Sequence, residues 1–347
     1  MNGADPRELI RGSGGTIEPW DPRVHVRAIS PLEAQMSCGF LRCHPEKWLP
    51  GFSTRWTPVM SALGCDLRVG EIKPSLALPD SNSVCCRGTI DGESVVVAFD
   101  PSTVNAISNE VASAGERSKG SMFLLEYLAQ RFLACIGQSH AGVDRTSIQF
   151  SGRCALDDFE VVASVRLSFA LNSNPASVVI GLGRGVVERM DGMWRRQLHS
   201  SIRPAVGAGM LRIEVAQLGV PPSLLSEYLT SGTVIDLEVP ISDCVTLRVG
   251  HKPFMPARLV SVEGRLGCQV IQGVLSNLSV PDGTSRLSIE CGAIPVDEAR
   301  ITELGQVGAV LTLEQAISSA VSLVINQERV GEARLGVHQG RFAVKVL

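Results

Sequence analysis

The sequence lacks the features that mark exported and membrane-spanning proteins. Residues 1–15 contain no basic stretch followed by an apolar core, so no signal peptide is predicted there. No apolar run approaches the ~20 residues that a membrane-spanning helix requires. We therefore expect a chain without a transmembrane segment that folds and remains in the cytoplasm.

A strong charge of either sign is also missing. The 347 residues carry a formal net charge of −3, whereas a nucleic-acid surface needs Lys and Arg clustered on one face. We therefore expect no nucleic-acid partner. An apolar share of 44% is typical of packed globular domains, and the length is sufficient for two or three of them.

The spacing signatures of metal and nucleotide sites are absent. Cys38, Cys43 and His44 have no second ligand pair at the spacing of a structural zinc site. The glycines of residues 181–185 lack the Lys-Ser or Lys-Thr of a phosphate loop and are more typical of a turn. No metal and no cofactor are predicted.

Catalytic signatures are missing as well. The six histidines share no recognisable spacing with a serine, cysteine or carboxylate. Asp157, Asp158 and Glu160 are typical of a turn at a strand entry. The ten cysteines are scattered through a chain without an export signal, so we interpret them as free, small, buried apolar residues. No catalytic residue is predicted.

The amino-terminal part of the chain has mixed signals. We assign residues 1–20 to a disordered lead-in and residues 21–205 to an α+β region. Apolar patterns predict the elements of this region: a strand at 94–99, a helix starting at Pro101, a helix at 121–136, and an antiparallel sheet from 147–153, 159–171 and 177–182. The apolar face of the helix at 121–136 is expected to hold Phe123, Leu124, Tyr127, Leu128, Phe132 and Cys135. Residues 184–208 show no clear period, and linkers are expected at 204–209 and 272–283.

An internal repeat is the strongest signal in the sequence. Displacing the chain by the distance from Gly232 to Gly308, which we call the repeat offset, aligns identical residues over a long stretch. At this offset Val234 aligns with Val310, Leu237 with Leu313, Val245 with Val321, Leu247 with Leu323, Arg258-Leu259 with Arg334-Leu335, and Gly264-Arg265 with Gly340-Arg341. Upstream, Gly219 aligns with Gly292 at a slightly shorter displacement, which predicts a small length change in the connection that contains the helix.

The repeat predicts two small domains, at residues 210–273 and 284–347. Each is expected to hold a strand (211–218; 286–291), a short helix (222–229; 296–304) and three further strands. A β-rich unit of this size is near the lower limit for a stable core of its own, so pairing of the copies is expected.

The alternation of apolar and polar residues indicates which side chains the paired sheets bury. The predicted interface residues are Val245, Leu247, Val249, Leu259, Val321, Leu323, Ile325, Leu335, Phe342, Val344 and Val346. Gly232, Gly264, Gly308 and Gly340 are predicted turn glycines. The alternative is that these apolar residues form two separate cores, one in each domain.

The two copies resemble a known domain family. The segments "LGVPPSLLSEYLTSGTVIDL", "CVTLRVGHKPFMPARLVSVEGRLGCQV", "CGAIPVDEARITELGQVGAVLTL" and "AVSLVINQERVGEARLGVHQGRFAVKV" are similar to SpoA domains. Two such domains at the carboxyl end resemble the SctQ/YscQ/HrcQ family of type III secretion systems, whose flagellar relatives are FliM and FliN. The resemblance implies an α+β chain whose SpoA-like domains pair in an intertwined manner, within one chain or between two.

The same resemblance implies a function. It points to a non-catalytic subunit of the cytoplasmic C-ring, or sorting platform, peripheral to the inner-membrane base of the secretion apparatus. The implied partners are the stator protein of the export ATPase, the accessory platform subunit, the membrane-ring base and, transiently, chaperone–effector complexes. The chain itself, or a short carboxyl-terminal product started at Met193, Met210, Val274 or Val280, is a further implied partner.

Two alternatives stay open. A flagellar motor-switch protein is less expected, because residues 1–16 lack the apolar pattern of the short regulator-binding helix found in FliM-type chains. An enzyme with its site in the first 150 residues, in which the repeats serve assembly alone, is the alternative of a different class.

Overall fold

The computed structural model of the chain describes residues 17–43, 67–111, 117–140, 147–156, 160–171, 174–204, 206–275 and 283–347. Residues 1–16 of the predicted lead-in, together with His44, Asp157 and Asp158, lie outside these ranges. Residues 17–20, which the sequence prediction also places in the disordered lead-in, are instead ordered, since Glu18–Pro19 form a strand and Trp20 is buried. The chain divides into two compact units. The repeat unit contains the residues up to Cys38 and from Gln197 onward, and the inserted unit contains Gly39–Arg196. The predicted amino-terminal region, residues 21–205, spans parts of both.

The segment before the inserted unit alternates short strands and short helices. Its elements are β1 (Glu18–Pro19), α1 (Pro22–His25), β2 (Arg27–Ile29) and α2 (Pro31–Met36). Both helices start with a proline after a capping residue: Asp21 accepts a hydrogen bond from the Arg23 amide, and Ser30 accepts one from the Glu33 amide. Such caps satisfy amides that a helix start leaves without partners.

The inserted unit is built around a six-stranded antiparallel sheet, which confirms the antiparallel prediction. Its strand order is β3-β7-β8-β5-β4-β6. After a short 3-10 turn at Phe40–Arg42, its elements are β3 (Leu67–Ser75), β4 (Val84–Ile90), β5 (Glu93–Phe99), α3 (Pro101–Val111), α4 (Arg117–His140), β6 (Ile148–Cys154), β7 (Ala163–Leu171), β8 (Asn174–Leu182) and α5 (Arg184–Ser201).

Helix α4 confirms the predicted helix but buries a different face. Leu125, Leu128 and Leu133 are buried, whereas Phe123 is 76% exposed and Tyr127 is 39% exposed. At about 100° per residue, positions two away from Leu125 lie on the opposite side of the helix. The expectation that Phe123 and Tyr127 share the packed face is therefore wrong.

Helix α5 corrects the prediction of an aperiodic stretch. Val187, Met190 and Trp194 are buried at spacings of three and four residues, which is the pattern of a helix with one apolar stripe. Gly185 and Gly192 and the charged residues between them obscured this stripe in the sequence. Regular structure therefore continues through Ser201, close to the predicted linker at 204–209.

The repeat unit contains two copies of one sequence of elements. In the first copy these are β9 (Gly209–Val220), a 3-10 turn (Pro222–Leu224), α6 (Leu225–Tyr228), β10 (Val234–Pro240), β11 (Cys244–Val249), β12 (Lys252–Val262) and β13 (Arg265–Val270). In the second copy they are β14 (Ser285–Val296), α7 (Glu298–Leu304), β15 (Val310–Ala316), β16 (Ala320–Ile325), β17 (Glu328–His338) and β18 (Arg341–Val346).

The repeat offset holds from the first strand of each copy to the last. Gly209–Val220 corresponds to residues 285–296, and Leu225–Tyr228 lies within the equivalent of Glu298–Leu304. The predicted slip to a shorter displacement is therefore wrong, because the single match of Gly219 with Gly292 is a coincidence. The prediction of three strands after the helix is also wrong, since four follow it in each copy.

The two copies exchange a strand within the same chain. The sheet path runs β10-β18-β17-β16-β14-β9-β11-β12-β13-β15. Thus β10 of the first copy pairs with β18 of the second, and β15 of the second pairs with β13 of the first. Strands β9 and β14 pair antiparallel in the middle. This confirms the α+β fold with intertwined domains and shows that the pairing is intrachain.

Candidate functional site

The predicted interface residues of both copies lie in one continuous core. Ten of them are buried, with at most 6% of each residue exposed, and Ile325 is partly buried against the same cluster. The members are Val245, Leu247, Val249, Leu259, Val321, Leu323, Ile325, Leu335, Phe342, Val344 and Val346. Strand exchange brings them together, because each copy's second strand completes the sheet of the other.

Two of the predicted turn glycines lie where the exchanged strands begin. The amide of Gly232 donates to the carbonyl of Val346 (2.9 Å), and the amide of Gly308 donates to the carbonyl of Val270 (2.7 Å). Both glycines have a left-handed backbone, with φ of 86° and 87°, which a residue with a Cβ adopts only at a cost. These positions therefore direct each strand into the opposite copy.

The other two turn glycines close hairpins. Glu263 and Gly264 connect β12 to β13, and Gln339 and Gly340 connect β17 to β18. All four residues have positive φ, which is the geometry of a two-residue hairpin turn that matches the twist of its strands. The same turn in both copies fixes the register of the last two strands.

The face of the central strands that points away from the core carries two buried carboxylates. Glu214 on β9 and Glu290 on β14 are register partners, and each is 4% exposed. The repeat offset relates one to the other, so an approximate two-fold axis of the module passes between them. A one-residue slip of β9 would turn Glu214 into the apolar core. The pair therefore specifies the register of the two copies.

Arginines surround these carboxylates unequally. Arg212 donates to Glu290 (2.8 Å) and Arg248 donates to Glu214 (3.4 Å), while Arg286 donates to the side chain of Gln217 (2.7 Å from Nε). At the repeat offset, Arg212 corresponds to Ser288 and Arg248 to Val324. The arginines are therefore not duplicated, and the cluster belongs to the pairing of a first with a second copy.

Two equivalent hairpin turns lie over this cluster. Arg248 donates to the carbonyl of His251 (2.5 Å), and Arg212 donates to the carbonyl of Gln327 (2.8 Å). The side chains of His251 and Gln327 contact each other. A small, partly open cavity of about 40 Å³ lies between the turns and the sheet. Within it, Glu214 Oε2 and Arg212 Nε are buried without a hydrogen-bond partner.

Burial controls the protonation of the cluster. It raises the pKa of Glu214, and the nearby Arg248 and a hydrogen bond from Ser288 oppose that rise. Burial also raises the pKa of Glu290 against the hydrogen bond from Arg212. The pKa of Arg286 is lowered, first by burial and then by Arg248. The two carboxyls thus bind protons more readily than exposed glutamates do.

The remaining candidates from the sequence are not brought together into a site. Gly181 lies in β8 and Gly183 follows it, with the Gly183 amide donating to the carbonyl of Ser94 (3.0 Å). Across the described ranges, no three His, Cys, Asp or Glu side chains are grouped to hold a metal ion. The cysteines described there are free thiols.

Sequence reasoning missed the charged cluster. Its signal was present, because at the repeat offset Glu214 aligns with Glu290, Leu211 with Leu287 and Ile213 with Ile289. The shorter displacement that matches Gly219 with Gly292 concealed these pairs. The arginine partners could not be found this way, since Arg212 and Arg248 have no charged equivalents in the second copy.

Comparison with known families gives one match. Residues 227–274 and 286–347 match the family model of the type III flagellar switch regulator (C-ring) FliN C-terminal domain. The two segments cover about a third of the chain and overlap the two copies of the repeat, the first segment beginning after β9. None of the curated proteins matches the chain.

Solved structures with some likeness include three FliM or FliY proteins. The FliM middle domain of Vibrio alginolyticus has 5% identity and a TM-score of 0.36, covering 44% of this chain and 99% of its own. The FliM middle domain of H. pylori has 11% identity and a TM-score of 0.34, covering 47% and 99%. FliY of Thermotoga maritima has 12% identity and a TM-score of 0.31, covering 49% and 98%. All three scores are below 0.5.

The two copies of the repeat resemble the carboxyl-terminal domain of the FliN switch regulator, a likeness that covers about a third of the chain. Among the helices described, none has the length and apolar character needed to cross a membrane.

Proposed function

We propose that this chain is a non-catalytic structural subunit of the cytoplasmic C-ring, or sorting platform, of a type III protein secretion system. It would link the membrane base to the stator and export ATPase and help recruit substrates. The observation that carries the proposal is the interlocking of two FliN-like segments inside one chain. Because both strand exchanges are made within the chain, the module needs no second chain to complete its core.

The structural role is supported by the way the module uses its charges. Arg212 and Arg248 bind the buried Glu290 and Glu214, and each arginine also bonds a hairpin carbonyl above the sheet. Groups held this way fix the geometry of the module, as buried polar networks do when they specify one register. We therefore assign the cluster to assembly and propose no reaction for it.

The proposed partners are the stator protein of the export ATPase, the accessory platform subunit and the membrane-ring base, with chaperone–effector complexes as transient clients. The proposed location is the cytoplasmic face of the secretion base. Affinity-tagged chain recovered under mild conditions from its native cells, with an untagged strain as control, tests this by mass spectrometry. Export ATPase, stator and secretion-ring subunits are the expected companions.

A flagellar motor-switch role is the second candidate, and the name of the matching family favours it. Recovery of flagellar switch proteins in the same experiment would replace the secretion proposal with this one. An in-frame deletion separates the two independently, because loss of secretion with normal motility supports the first role and the reverse supports the second. Recovery of neither set, combined with a ligand-induced thermal shift of the chain, would favour an enzyme.

A short carboxyl-terminal product is a proposed further partner. A start at Met193 or Met210 would retain both copies of the repeat, whereas a start at Val274 or Val280 would retain the second alone. An antibody against the last residues should detect such a fragment in native extracts. Detection of the full-length chain alone would remove this partner.

A further inference from the structure

Residues 17–38, which we call the strap, cover equivalent edges of both copies. Strand β1 pairs with β17 at Val337 and Gly336, and β2 pairs with β12 at residues 260–262. Residues 336 and 337 correspond to residues 260 and 261 at the repeat offset. The long strands β12 and β17 extend beyond the strands that precede them in each copy. The pairing of β11 with β12 stops at Arg258, and the pairing of β16 with β17 stops at Arg334. The strap pairs with the part of each long strand beyond that point.

The two dockings have opposite directions. Strand β1 is antiparallel to β17, whereas β2 is parallel to β12. An edge that accepts either direction is recognised mainly through backbone hydrogen bonds, as in strand addition to an exposed sheet edge. Without the strap, each copy would present a short unpaired edge, which is a template for pairing with another chain.

A few side chains anchor the strap. Trp20 is 4% exposed and its ring meets that of Phe342 edge-on at a centroid distance of 5.2 Å. Ile29 packs on Val260 and Val262. At the carboxyl end, the hydroxyl oxygen of Ser37 accepts a hydrogen bond from the Val310 amide (2.8 Å). All these contacts are made to the repeats, and any copy of the module offers the same ones.

The strap is not adjacent to the repeats in sequence. The chain leaves the repeat unit after Cys38 and returns at Gln197, so the whole inserted unit separates the strap from its docking edges. The strap can form the same contacts with the module of its own chain or with that of a neighbouring chain. Exchange between the two therefore has a low free-energy cost when copies of the protein are close together. Its ladders of two and three residue pairs also allow local opening without unfolding of the module.

We propose that the strap exchanges between chains, so that residues 17–38 of one copy dock on the repeat module of a neighbouring copy. The partner is a second copy of this protein, and the inference does not depend on the secretion partners proposed above. Exchange would connect adjacent subunits of an assembly through strand pairing at both edges.

The experiment uses full-length chains with single added cysteines. Glu18 and Val337 are register partners, close enough for a disulfide across antiparallel strands. One chain carries Glu18→Cys and the other Val337→Cys. After mixing and mild oxidation with diamide, peptide mass spectrometry identifies the linked pair among the native cysteines. Because neither chain holds both changes, a link between positions 18 and 337 is necessarily interchain, and the off-site control described below separates docking of the strap from chance collision.

Matched variants isolate the docking edge. A Cβ at Gly336 would lie 2.6 Å from the carbonyl oxygen of Glu18, whereas a Cβ at Gly331 on the same strand meets nothing closer than 3.6 Å. Gly336→Ala in the Val337→Cys chain should therefore abolish the link and Gly331→Ala should keep it. Glu328→Cys, at the far end of β17, replaces Val337→Cys as the off-site control and should give no link.

We expect an interchain link whose yield rises with protein concentration. A chain carrying both Glu18→Cys and Val337→Cys tests the geometry in cis. If that chain links internally while the mixture gives no link, the strap is purely intramolecular and the proposal is overturned. Failure of both would show that the edge does not hold β1 and would overturn it equally. Trp20→Ala, which keeps the backbone unchanged, should lower the yield and is the second variant if Gly336→Ala misfolds.

Discussion

The two compact units differ in what they bury beside their apolar residues. In the described part of the inserted unit, the buried polar residues are the hydroxyl-bearing Thr103, Ser121 and Ser164. In the repeat unit they include the charged Glu214, Arg248 and Glu290 at the centre of the sheet. A buried hydroxyl needs only one or two hydrogen bonds, such as those of Thr103 with Ser177 and of Ser164 with Ala77, whereas buried charges need partners from several strands. The charged network therefore ties together elements that are distant in sequence.

The same contrast appears in the topology. In the inserted unit, β4–β5 and β7–β8 are hairpins of consecutive strands. In the repeat unit, β10 pairs with β18 and β15 with β13, so strands far apart in sequence are adjacent. An exchanged architecture makes each copy depend on the other. We conclude that the repeat unit unfolds as one cooperative body and that the inserted unit is a separate one.

The largest expected effect comes from a charge placed in the shared core. Leu323→Asp would bury an unpaired carboxylate at a fully buried position, at a cost of several kcal/mol, comparable to the stability of a domain. Hydrogen exchange followed by mass spectrometry should show loss of protection in both copies, including β10 to β13 of the first. Protection in the inserted unit should persist.

Val97→Asp is the matched change in the other unit, since Val97 is also fully buried. It should remove protection from β3 to β8 and leave the repeats protected. If Leu323→Asp exposes the second copy alone, the two copies have separate cores and the comparison fails.

The next effect separates buried from exposed charges. Arg212→Ala leaves Glu290 buried without its 2.8 Å partner, and breaking such a pair costs about 3–5 kcal/mol. Arg189→Ala removes an ion pair to Asp91 whose side chains are 42% and 32% exposed, which is worth at most about 1 kcal/mol. Urea unfolding of both variants measures the difference. Equal losses would mean that the central cluster is already solvated.

The repeat unit also shows which structural features could be predicted from the sequence and which could not. The repeat and its alternating strands were visible because identical residues recur at a fixed offset, so the apolar positions such as Leu247 and Leu323 could be placed in advance. The exchange of β10 and β15 could not, because an apolar strand fits a cover from its own copy as well as from the other. The turn glycines were visible as residues, but their part in directing the exchanged strands depends on Gly232 and Gly308 bonding to the opposite copy.

Other misses have local physical causes. Helix α5 was obscured because Gly185, Gly192 and the charged residues between them interrupt the apolar pattern that places Val187, Met190 and Trp194 on the buried face. The docking of the strap could not be predicted, since strand addition is carried by backbone groups that leave no pattern in the side chains. The pairing of Glu18 with Val337 also joins two segments that the inserted unit and most of the repeat unit separate in sequence.

A smaller effect with opposite signs is expected from two glycines. Gly308→Ala places a Cβ on a backbone with φ of 87°, which costs about 1–2 kcal/mol. Gly120→Ala lies in α4 with nothing within 4 Å of the added Cβ, and should stabilise that helix by up to about 1 kcal/mol. Calorimetry should show a lower unfolding temperature of the repeat unit in the first variant. It should show a higher unfolding temperature of the inserted unit in the second. A shift of the same sign in both would contradict the assigned backbone geometry.

The smallest expected effect is a pH response of opposite sign in the two units. Burial raises the pKa of Glu214 and Glu290 above the ordinary 4.5, so the folded repeat unit binds protons more tightly than its unfolded chain. That contribution is fully present below about pH 4.5 and is lost as the pH rises through the folded pKa. For Asp100 in the inserted unit, burial is outweighed by hydrogen bonds from Ser102, Thr103 and Ser177, which lower its pKa below 3.8. Its contribution is present above that pH and is lost as the pH falls through the folded pKa.

Calorimetry at a series of pH values measures this difference. On going from pH 7 to about 4.5, the wild-type repeat unit should lose less stability, or gain more, than a Glu214→Gln/Glu290→Gln variant, because the variant has no carboxyls to protonate at these positions. The arginines limit the size of the effect, since they favour the charged carboxylates. Asp100→Asn should change the response of the inserted unit only at still lower pH. Identical pH profiles for the wild type and the double variant would show that the carboxyls at the two-fold axis titrate as exposed groups do, and would remove charge burial as the distinction between the units.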